Sequence, residues 1–293
     1  MSTAVHPGIV VGVDGSAGSH AAVRWSAREA VMRRVPLVLT HVLATDVTAA
    51  WAMAVPVAPL PGEYYESREQ DARAVLAEAE AVAKDAGAVD VTTDLVQAAA
   101  VPGLVDVAKE ADMLVVGTRG HGAVKRLLLG SVTIGLLHHV RCPVAVVRTD
   151  ADQPSDTGPV VVGVDGSRAS QRAVEIAFEE ASMRGVDLVA LHSWSDRHES
   201  LHPYVDWAAV RVLAEETLAV SVAGWCERYP DVTVHRELVL DRPVEHLLER
   251  SESAQLLVVG SHGRGGFAGM LLGSVSTAVV QAAHSPVIVA RGR

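Results

Sequence analysis

The chain has 293 residues, of which 49% are hydrophobic, 20% charged and 4% aromatic, and this length suits one large or two ordinary domains. Its formal net charge of −10 argues against a nucleic-acid partner, which usually leaves a basic footprint, and against docking on an anionic membrane. With two distant cysteines, no apolar run near ~18 residues and no signal peptide expected ahead of Asp14, the sequence predicts a soluble, cytoplasmic protein.

The sequence contains an internal repeat. Residues 9–16 (IVVGVDGS) recur as 160–167 (VVVGVDGS) at an offset of 151, and 128–132 (LLGSV) recur as 271–275 at an offset of 143. The halves therefore differ by a net eight residues (151 − 143), which we assign to a predicted surface loop or lid at 44–66. We expect one domain at 1–149, a polar linker at 150–158 and a second domain at 159–293.

Each half shows the same order of predicted elements after its first strand. In the first half these are helix 17–34, strand 37–42, helix 67–87, strand 89–97, helix 101–110, strand 113–117, a helix from Ser131 and strand 143–148. In the second they are helix 168–185, strand 188–193, helix 206–229, strand 231–240, helix 243–252, strand 256–260, a helix from Ser274 and strand 286–291. This alternation predicts two tandem doubly wound α/β domains, each with a Rossmann-like, five-stranded parallel sheet buried on both faces.

Two motifs follow strands that should end at one crevice of each sheet. The first strand ends in Asp14-Gly15-Ser16, or Asp165-Gly166-Ser167 in the second half. The fourth strand ends in the glycine loop Gly117-Thr118-Arg119-Gly120-His121-Gly122, or Gly260-Ser261-His262-Gly263-Arg264-Gly265. Glycines allow positive φ and close backbone approach, and successive N–H groups form a concavity suited to anions.

Each glycine loop leads to a helix that opens with Gly130-Ser131 or Gly273-Ser274. The N-terminal N–H groups and the dipole of this helix favour a phosphate. We expect the serine hydroxyl to cap the helix or to bond a phosphate oxygen. Positive charge comes from Arg119, His121, Lys125 and Arg126 in the first half and from His262 and Arg264 in the second.

The spacing Gly-x2-Gly-x9-Gly-Ser after a buried strand, with an Asp ending the first strand, resembles the ATP-binding class of the universal stress protein family. The tandem layout is similar to that of its two-domain actinobacterial members. The resemblance covers nearly the whole chain and implies an adenine-nucleotide α-hydrolase-like version of the fold. It also implies two ATP sites per chain, with Mg²⁺ held by the phosphates near Asp14 and Asp165.

The resemblance implies a role for each matching residue. Asp14 and Asp165 would lie at the nucleoside, and the backbone of Val42 or Ser193 would read the adenine edge, although Ser193 replaces the usual apolar residue. The implied ATP contacts are Gly12, Val13, Asp14, Val42, Gly117, Thr118, Arg119, Gly120, His121, Gly122, Gly130, Ser131 and Val132, then Gly163, Val164, Asp165, Ser193, Gly260, Ser261, His262, Gly263, Arg264, Gly265, Gly273, Ser274 and Val275.

Several of these residues also allow a purely structural interpretation. Asp14 and Asp165 could simply cap the following helix, although Ser16 and Ser167 are equally good caps. The recurring His41 and His192 fit structural histidines, and Cys142 fits a small buried hydrophobe. Trp51, Trp194 and Trp207 could cover a base, with core packing as the alternative.

The predicted function is an ATP-binding switch in stress response or growth, with a slow ATPase or phosphotransferase as the alternative. The sequence lacks a Gly-x4-Gly-Lys-[Ser/Thr] loop, kinase signatures and an evident general base. A dinucleotide enzyme is disfavoured because Asp14 stands where pyrophosphate would approach. An AMP-forming ligase or a flavoprotein relative remains open on fold alone. The last strands could pair within the chain as a pseudo-dimer, and a homodimer is expected. The sequence does not identify a protein partner.

Overall fold

The structure is a computed structural model that describes residues 8–44, 62–118, 129–149, 157–194, 207–264 and 272–291. The chain divides between Thr149 and Asp150 into two compact units. Among the described residues, no helix combines the length and the apolar character that a membrane crossing requires.

The first unit contains one parallel sheet and four α-helices within the described ranges. Its elements are β1 (Ile9–Gly12), α1 (Ala17–Arg33), β2 (Leu37–Leu43), α2 (Gly62–Asp85), β3 (Val91–Gln97), α3 (Ala100–Val107), β4 (Met113–Gly117), α4 (Ser131–His139) and β5 (Val144–Val147). The strand order is β3-β2-β1-β4-β5, and each neighbouring pair is parallel.

The second unit repeats this arrangement. Its elements are β6 (Val160–Val164), α5 (Arg168–Arg184), β7 (Leu188–Trp194), α6 (Trp207–Arg228), β8 (Val234–Leu240), α7 (Pro243–Ser251), β9 (Leu256–Gly260), α8 (Ser274–Ala282) and β10 (Val287–Ala290). The order β8-β7-β6-β9-β10 is again all parallel. The predicted fold class, two doubly wound parallel α/β units in tandem, is confirmed.

Burial explains why the central strands are continuous apolar runs. The strands β4, β5, β9 and β10 are buried along their length except at Gly117 and Gly260. The strands β3 and β8, which lie at the end of each order, contain only half-buried and exposed residues. A strand covered by helices on both faces has no polar side, and each buried Leu, Ile or Val contributes roughly 1.5–3 kcal/mol.

Serine hydroxyls fix where the first helix of each unit begins. Ser16 Oγ accepts from the Ser19 N–H at 3.2 Å, and Ser167 Oγ accepts from the Ser170 N–H at 3.2 Å. Both serines have extended backbone and are the N-cap residues, so the helix cap is the serine and the capping interpretation of Asp14 and Asp165 is wrong.

The predicted loop 44–66 was too long. The helix α2 already begins at Gly62, with Glu63 in its first turn, where a negative charge is favourable beside the helix N-terminus. Residues 45–61 lie outside the described part of the chain.

Candidate functional site

The candidate site lies where the strand order reverses. In the second unit, β7 and β8 follow one another to one side of β6, whereas β9 and β10 lie to the other side. The crevice at the carboxyl ends of strands that flank such a switch point is the usual ligand site of an open parallel sheet.

A cavity of about 440 Å³ occupies this point in the second unit. It is lined by the predicted site residues Gly163, Val164, Asp165, Ser193, Gly260, His262, Gly263, Gly273, Ser274 and Val275, together with Ser170, Leu191, Pro243, Leu247, Val259 and Ser276. The volume falls in the range of small-molecule sites. Residues predicted from motifs in four separate segments therefore meet at one cavity.

Asp165 braces the turn that follows β6. Its Oδ1 accepts from the Ser167 N–H at 2.9 Å, and its Oδ2 accepts from the Arg264 N–H at 3.2 Å. In the first unit, Asp14 Oδ1 accepts from the Ser16 N–H at 3.0 Å. Each carboxylate is thus held at the carboxyl end of the first strand of its unit.

The motif glycines serve close approach. A Cβ on Gly117 would lie 2.6 Å from the Gly18 carbonyl carbon, and one on Gly260 would lie 2.8 Å from that of Ala169, so both glycines let a helix N-terminus pack on the strand end. A Cβ on Gly263 would lie 2.6 Å from Asp165 Oδ2.

The described glycines of the glycine loops, Gly117, Gly260 and Gly263, have no positive φ. Positive φ occurs instead at Gly15 (79°) and Gly166 (75°), within the Asp-Gly-Ser turns. The turn must reverse the chain within a few residues between strand and helix, which is the geometry that needs glycine freedom.

The N-terminus of α8 opens onto the cavity without a side-chain cap. Its N-cap is Gly273, whose N–H donates to the Ser261 carbonyl at 2.7 Å, and Ser276 Oγ donates to the Gly260 carbonyl at 2.5 Å. These two bonds fix the helix start against the end of β9. Ser274 is the first helical residue and is exposed, so of the two roles expected for its hydroxyl the capping role was wrong.

The helix α4 begins in the same way in the first unit. The Gly130 N–H donates to the Thr118 carbonyl at 2.9 Å, and Thr133 Oγ1 donates to the Gly117 carbonyl at 3.0 Å. Gly130 is the N-cap residue and supplies no side-chain hydrogen bond, and Ser131 is exposed at the first helical position. The capping expectation fails here for the same reason.

Sequence reasoning missed the apolar floor of the cavity. Leu247 and Val259 lie 3.5–3.6 Å from a Cβ built on Gly163, and Leu191 and Pro243 extend this surface. The repeat could have revealed these apolar residues, because they recur in both units. In the first unit a Cβ on Gly12 would meet Leu104 and Val116, which are the counterparts of Leu247 and Val259 at the offset of 143.

Val42 and Ser193 occupy matching places on β2 and β7 but differ chemically. Ser193 Oγ donates to the Asp241 carbonyl at 2.8 Å, so its hydroxyl is engaged within the unit. The Val42 side chain lies 3.2 Å from a Cβ built on Gly103 in α3. Both side chains therefore face the layer that contains the helix after the third strand of the unit.

The histidines act as braces, as the structural interpretation predicted. His192 Nδ1 lies 2.6 Å from the Val164 carbonyl oxygen, and His41 Nδ1 lies 2.8 Å from that of Val13. Burial lowers the pKa of His192 below its ordinary value; the Val164 carbonyl opposes this shift, and the nearby Arg264 guanidinium adds to it. The neutral imidazole is therefore the stable form in the folded unit.

Some predicted residues do not line the cavity, and others lie outside the described residues. Ser261 Oγ lies 3.0 Å from His262 Nδ1, and a Cβ on Gly166 would collide with the Arg264 guanidinium, which places that cation beside the turn. Outside the described residues are Arg119, Gly120, His121, Gly122, Lys125, Arg126 and Gly265, with Trp51 and the side chain of Trp207. The elements equivalent to those around the cavity also carry, or directly adjoin, the predicted site residues of the first unit: Gly12, Val13, Asp14, Val42, Gly117, Thr118, Gly130, Ser131 and Val132.

Comparison with known proteins places the chain in a family. The model of the universal stress protein family matches residues 8–148 and again 157–291. A universal stress protein of Mycobacterium tuberculosis is 49% identical over 290 residues, which cover 97% of each chain. One of Mycolicibacterium smegmatis is 46% identical over 298 residues, which cover all of both.

The fold agrees with a solved structure of the same family. The crystal structure of a universal stress protein from Archaeoglobus fulgidus superposes with a TM-score of 0.68 at 22% identity, over 97% of this chain and 98% of that one. The two matched segments, the mycobacterial relatives and the shared fold lead to one conclusion: the chain belongs to the universal stress protein family and carries its domain twice.

Proposed function

We propose that this protein is an ATP-binding regulator of stress response or growth, with one nucleotide site in each unit. The observation that carries the proposal is the cavity of about 440 Å³ at the switch point of the second unit, lined by the carboxyl ends of β6 and β9 and by the start of α8. The repeat supports a second site in the first unit, because the same elements recur there.

The nucleoside fits the part of the cavity near β6 and β7. Leu191, Leu247 and Val259 give an apolar surface for a planar base. The Asp165 carboxylate accepts hydrogen bonds and repels phosphate oxygens, so the ligand group that suits it is a ribose hydroxyl. We therefore expect the sugar over β6, with the base on one side and the phosphates on the other.

The phosphates fit the start of α8. The N-terminal N–H groups of a helix without a side-chain cap are available to an anion, and the helix dipole adds to their attraction. The exposed Ser274 hydroxyl and the backbone of Gly263 lie in the same lining. Such local donors let a chain of net charge −10 bind a triphosphate.

The site also fits a magnesium ion carried by the nucleotide. In the described part of the chain, no group of three or more His, Cys, Asp or Glu side chains could hold a metal ion. Mg²⁺ in nucleotide sites usually takes one or two carboxylates and several phosphate or water oxygens. Asp165 or Asp14 would supply the carboxylate, and the ion would neutralise phosphate charge.

The described acid–base groups around the cavity support a switch over an enzyme. Asp165 braces a turn, His192 contacts the Val164 carbonyl, and His262 contacts Ser261. A site that binds the ground state without transition-state groups gives little turnover. We expect steady-state ATP hydrolysis well below ~1 s⁻¹, and turnover at or above that rate would favour the ATPase alternative.

Identification of the ligand released from purified protein tests the proposal. The protein is denatured and its small molecules are quantified by mass spectrometry against ATP, ADP, FAD and NAD standards. ATP approaching two molecules per chain supports the proposal, whereas FAD, NAD or the lack of any bound or titratable nucleotide would overturn it. The homodimer and the cytoplasmic location stay predictions.

A further inference from the structure

We infer that Ser193 is a positioning residue of the second nucleotide site. Its hydroxyl holds the turn Asp241-Arg242 in a strained conformation that brings Pro243 to the wall of the cavity. The inference rests on the proposed function and goes beyond it, because it assigns to the second site a constraint that the first site lacks.

The hydroxyl of Ser193 joins the end of β7 to the turn that follows β8. Ser193 Oγ donates to the Asp241 carbonyl oxygen at 2.8 Å, and the Asp241 N–H donates to the Trp194 carbonyl oxygen at 2.7 Å. Two adjacent residues of β7 therefore hold the backbone of Asp241. Only the Ser193 bond comes from a side chain, so a substitution can remove it alone.

The turn after β8 has an unfavourable backbone conformation. Asp241 has a φ of 50° and Arg242 a φ of 46°, both in the left-handed region that costs free energy in most residues other than glycine. Arg242 also precedes Pro243, and the residue before a proline ordinarily has extended backbone. Such a conformation persists only where surrounding contacts hold it, and it is typical of ligand sites.

The first unit makes the same connection with ordinary backbone. At the offset of 143 the turn corresponds to Ala98-Ala99, and Ala99 is extended, with φ −70° and ψ 144°. Among the described residues of the first unit other than glycine, only Arg34 has a positive φ. The counterpart of Ser193 there is Val42, which has no hydroxyl. The fold therefore does not require the strained turn, which occurs in the unit that has the hydroxyl.

Both ends of the Ser193 bond lie at the cavity. Ser193 lines it, and so does Pro243, which directly follows the turn as the first residue of α7. Leu247, one helical turn further along α7, is 2% exposed and continues this apolar wall. The turn decides where α7 begins, so it sets how closely the wall approaches a nucleoside. A relaxed turn would move the wall and lower the fraction of molecules that are competent to bind.

Each site can be studied alone in the full-length chain by silencing the other. Ser131 and Ser274 are exposed first residues of α4 and α8. Glutamate there suits the helix dipole but repels phosphates. Calorimetric titration of Ser131→Glu with ATP reports the second site, and Ser274→Glu reports the first; a stoichiometry near one verifies each background.

The test compares Ser193→Thr with Ser193→Val in the Ser131→Glu background. Threonine and valine have nearly the same shape and differ in the hydroxyl, so any crowding by the added methyl groups is common to both variants. We expect Ser193→Val to bind ATP about 2- to 10-fold more weakly than Ser193→Thr, which corresponds to one net hydrogen bond. In the Ser274→Glu background the same two variants should bind ATP equally, because the first site does not contain Ser193.

Glycine in the turn separates a positioning role from a merely structural one. Arg242→Gly removes the Cβ that makes the left-handed conformation unfavourable, and glycine is an acceptable N-cap for α7. Added to Ser193→Val, it should restore ATP affinity to that of Ser193→Thr, because the turn no longer needs the hydroxyl. Arg242→Gly alone should raise the melting temperature of the unliganded protein, since the Arg242–Glu245 pair that it removes is exposed and contributes little.

Arg34→Gly is the matched control for Arg242→Gly. Arg34 follows α1 with a φ of 56°, also in the left-handed region, and its counterpart in the second unit is Gly185. The substitution should raise the melting temperature for the same reason. It lies in the first unit, so it should not restore ATP affinity to Ser193→Val.

The outcomes separate the inference from the function beneath it. If Ser193→Val and Ser193→Thr bind ATP equally at the second site, or Arg242→Gly restores no affinity to Ser193→Val, the inference is overturned and the proposed function stands. ATP binding at the first site alone would also overturn the inference. If neither the unmodified chain nor either silenced background binds nucleotide, the proposed function itself is overturned, and the role of Ser193 with it.

Discussion

The backbone N–H of Arg264 lies 3.2 Å from Asp165 Oδ2, although the two residues are 99 positions apart in the chain. The carboxylate at the end of β6 therefore holds the glycine loop that follows β9. The contact engages one backbone donor of the loop within the unit. It also couples the turn to the loop, so a change in one reaches the other.

Gly263→Ala should empty the second site while leaving the unit folded. The new methyl group would lie 2.6 Å from Asp165 Oδ2 and displace this carboxylate or the loop at the cavity, whereas Gly263 has no positive φ that alanine would strain. We expect bound nucleotide to fall by about one molecule per chain, with the free energy of unfolding changed by at most about 1 kcal/mol. Nucleotide quantification and urea unfolding measure the two effects.

Gly224→Ala serves as the control for Gly263→Ala. Gly224 lies in α6 with open space around its Cβ position, so alanine there should keep nucleotide content and add about 0.5–1 kcal/mol of stability. Nucleotide retained in full by Gly263→Ala would contradict the site. Gly120→Ala, the equivalent change in the first unit, falls outside the described residues and stays a prediction.

The strand-end glycines should behave differently from the glycine of the cavity floor. Gly117→Ala and Gly260→Ala would drive a methyl group into helix backbone, which cannot shift cheaply, and should each cost about 1–3 kcal/mol or more in the free energy of unfolding. Gly163→Ala meets only ordinary contacts at 3.5–3.6 Å and should be nearly neutral. If all three variants lose the same free energy of unfolding in denaturant, then close contact with the helix backbone is not the reason why these positions need glycine.

Alanine substitutions at Ser16 and Ser131 should have opposite effects, one on stability and the other on nucleotide binding. Ser16→Ala removes the N-cap of α1 and should lower the free energy of unfolding by about 1 kcal/mol, with little effect on nucleotide affinity. Ser131→Ala removes an exposed hydroxyl that caps nothing and should weaken nucleotide binding at the first site with stability unchanged. Unfolding curves and calorimetric titrations of both variants check this, and the reverse pattern would contradict the assignment.

His192 should make stability depend on pH. Burial lowers its pKa in the folded unit below the ~6.5 of an unfolded chain, so the unfolded state binds more protons in the window between the two values. The contribution of His192 to the free energy of unfolding should therefore be greatest above about pH 6.5 and should fall as the pH drops below that value. Urea unfolding from about pH 8 to 5 measures the slope.

His192→Asn is the control for this pH dependence, because an amide can still donate toward the Val164 carbonyl without titrating. The variant should lose part of the decline below about pH 6.5. An identical decline in both proteins would show that other groups cause it.

The sequence predicted most of the fold because the repeat showed each element twice. The runs 113–117 and 256–260 match β4 and β9 to the residue, and both Asp-Gly-Ser turns precede a helix as expected. The start of α2 at Gly62 was missed because Pro and Ala nearby favour a loop, and helix α2 buries only Ala72, Leu76, Ala79 and Ala83.

The site was predicted from its motifs, but its contacts were not. The Arg264–Asp165 bond depends on a tertiary approach that neither local motif carries. The roles of Gly117 and Gly260 depend on how closely a helix packs on a strand end, which residue type alone does not reveal. Leu247 was overlooked for another reason, since a leucine in a short helix looks like ordinary core until the cavity beside it is seen.

Calorimetric titration of ATP into the full-length chain, its two single variants Ser131→Glu and Ser274→Glu, and the double variant tests the central claim most directly. The account predicts stoichiometries near two, one, one and zero, with the four proteins equally folded by circular dichroism. A stoichiometry that stays the same across the four proteins, or an unmodified chain that binds no ATP, would contradict the account.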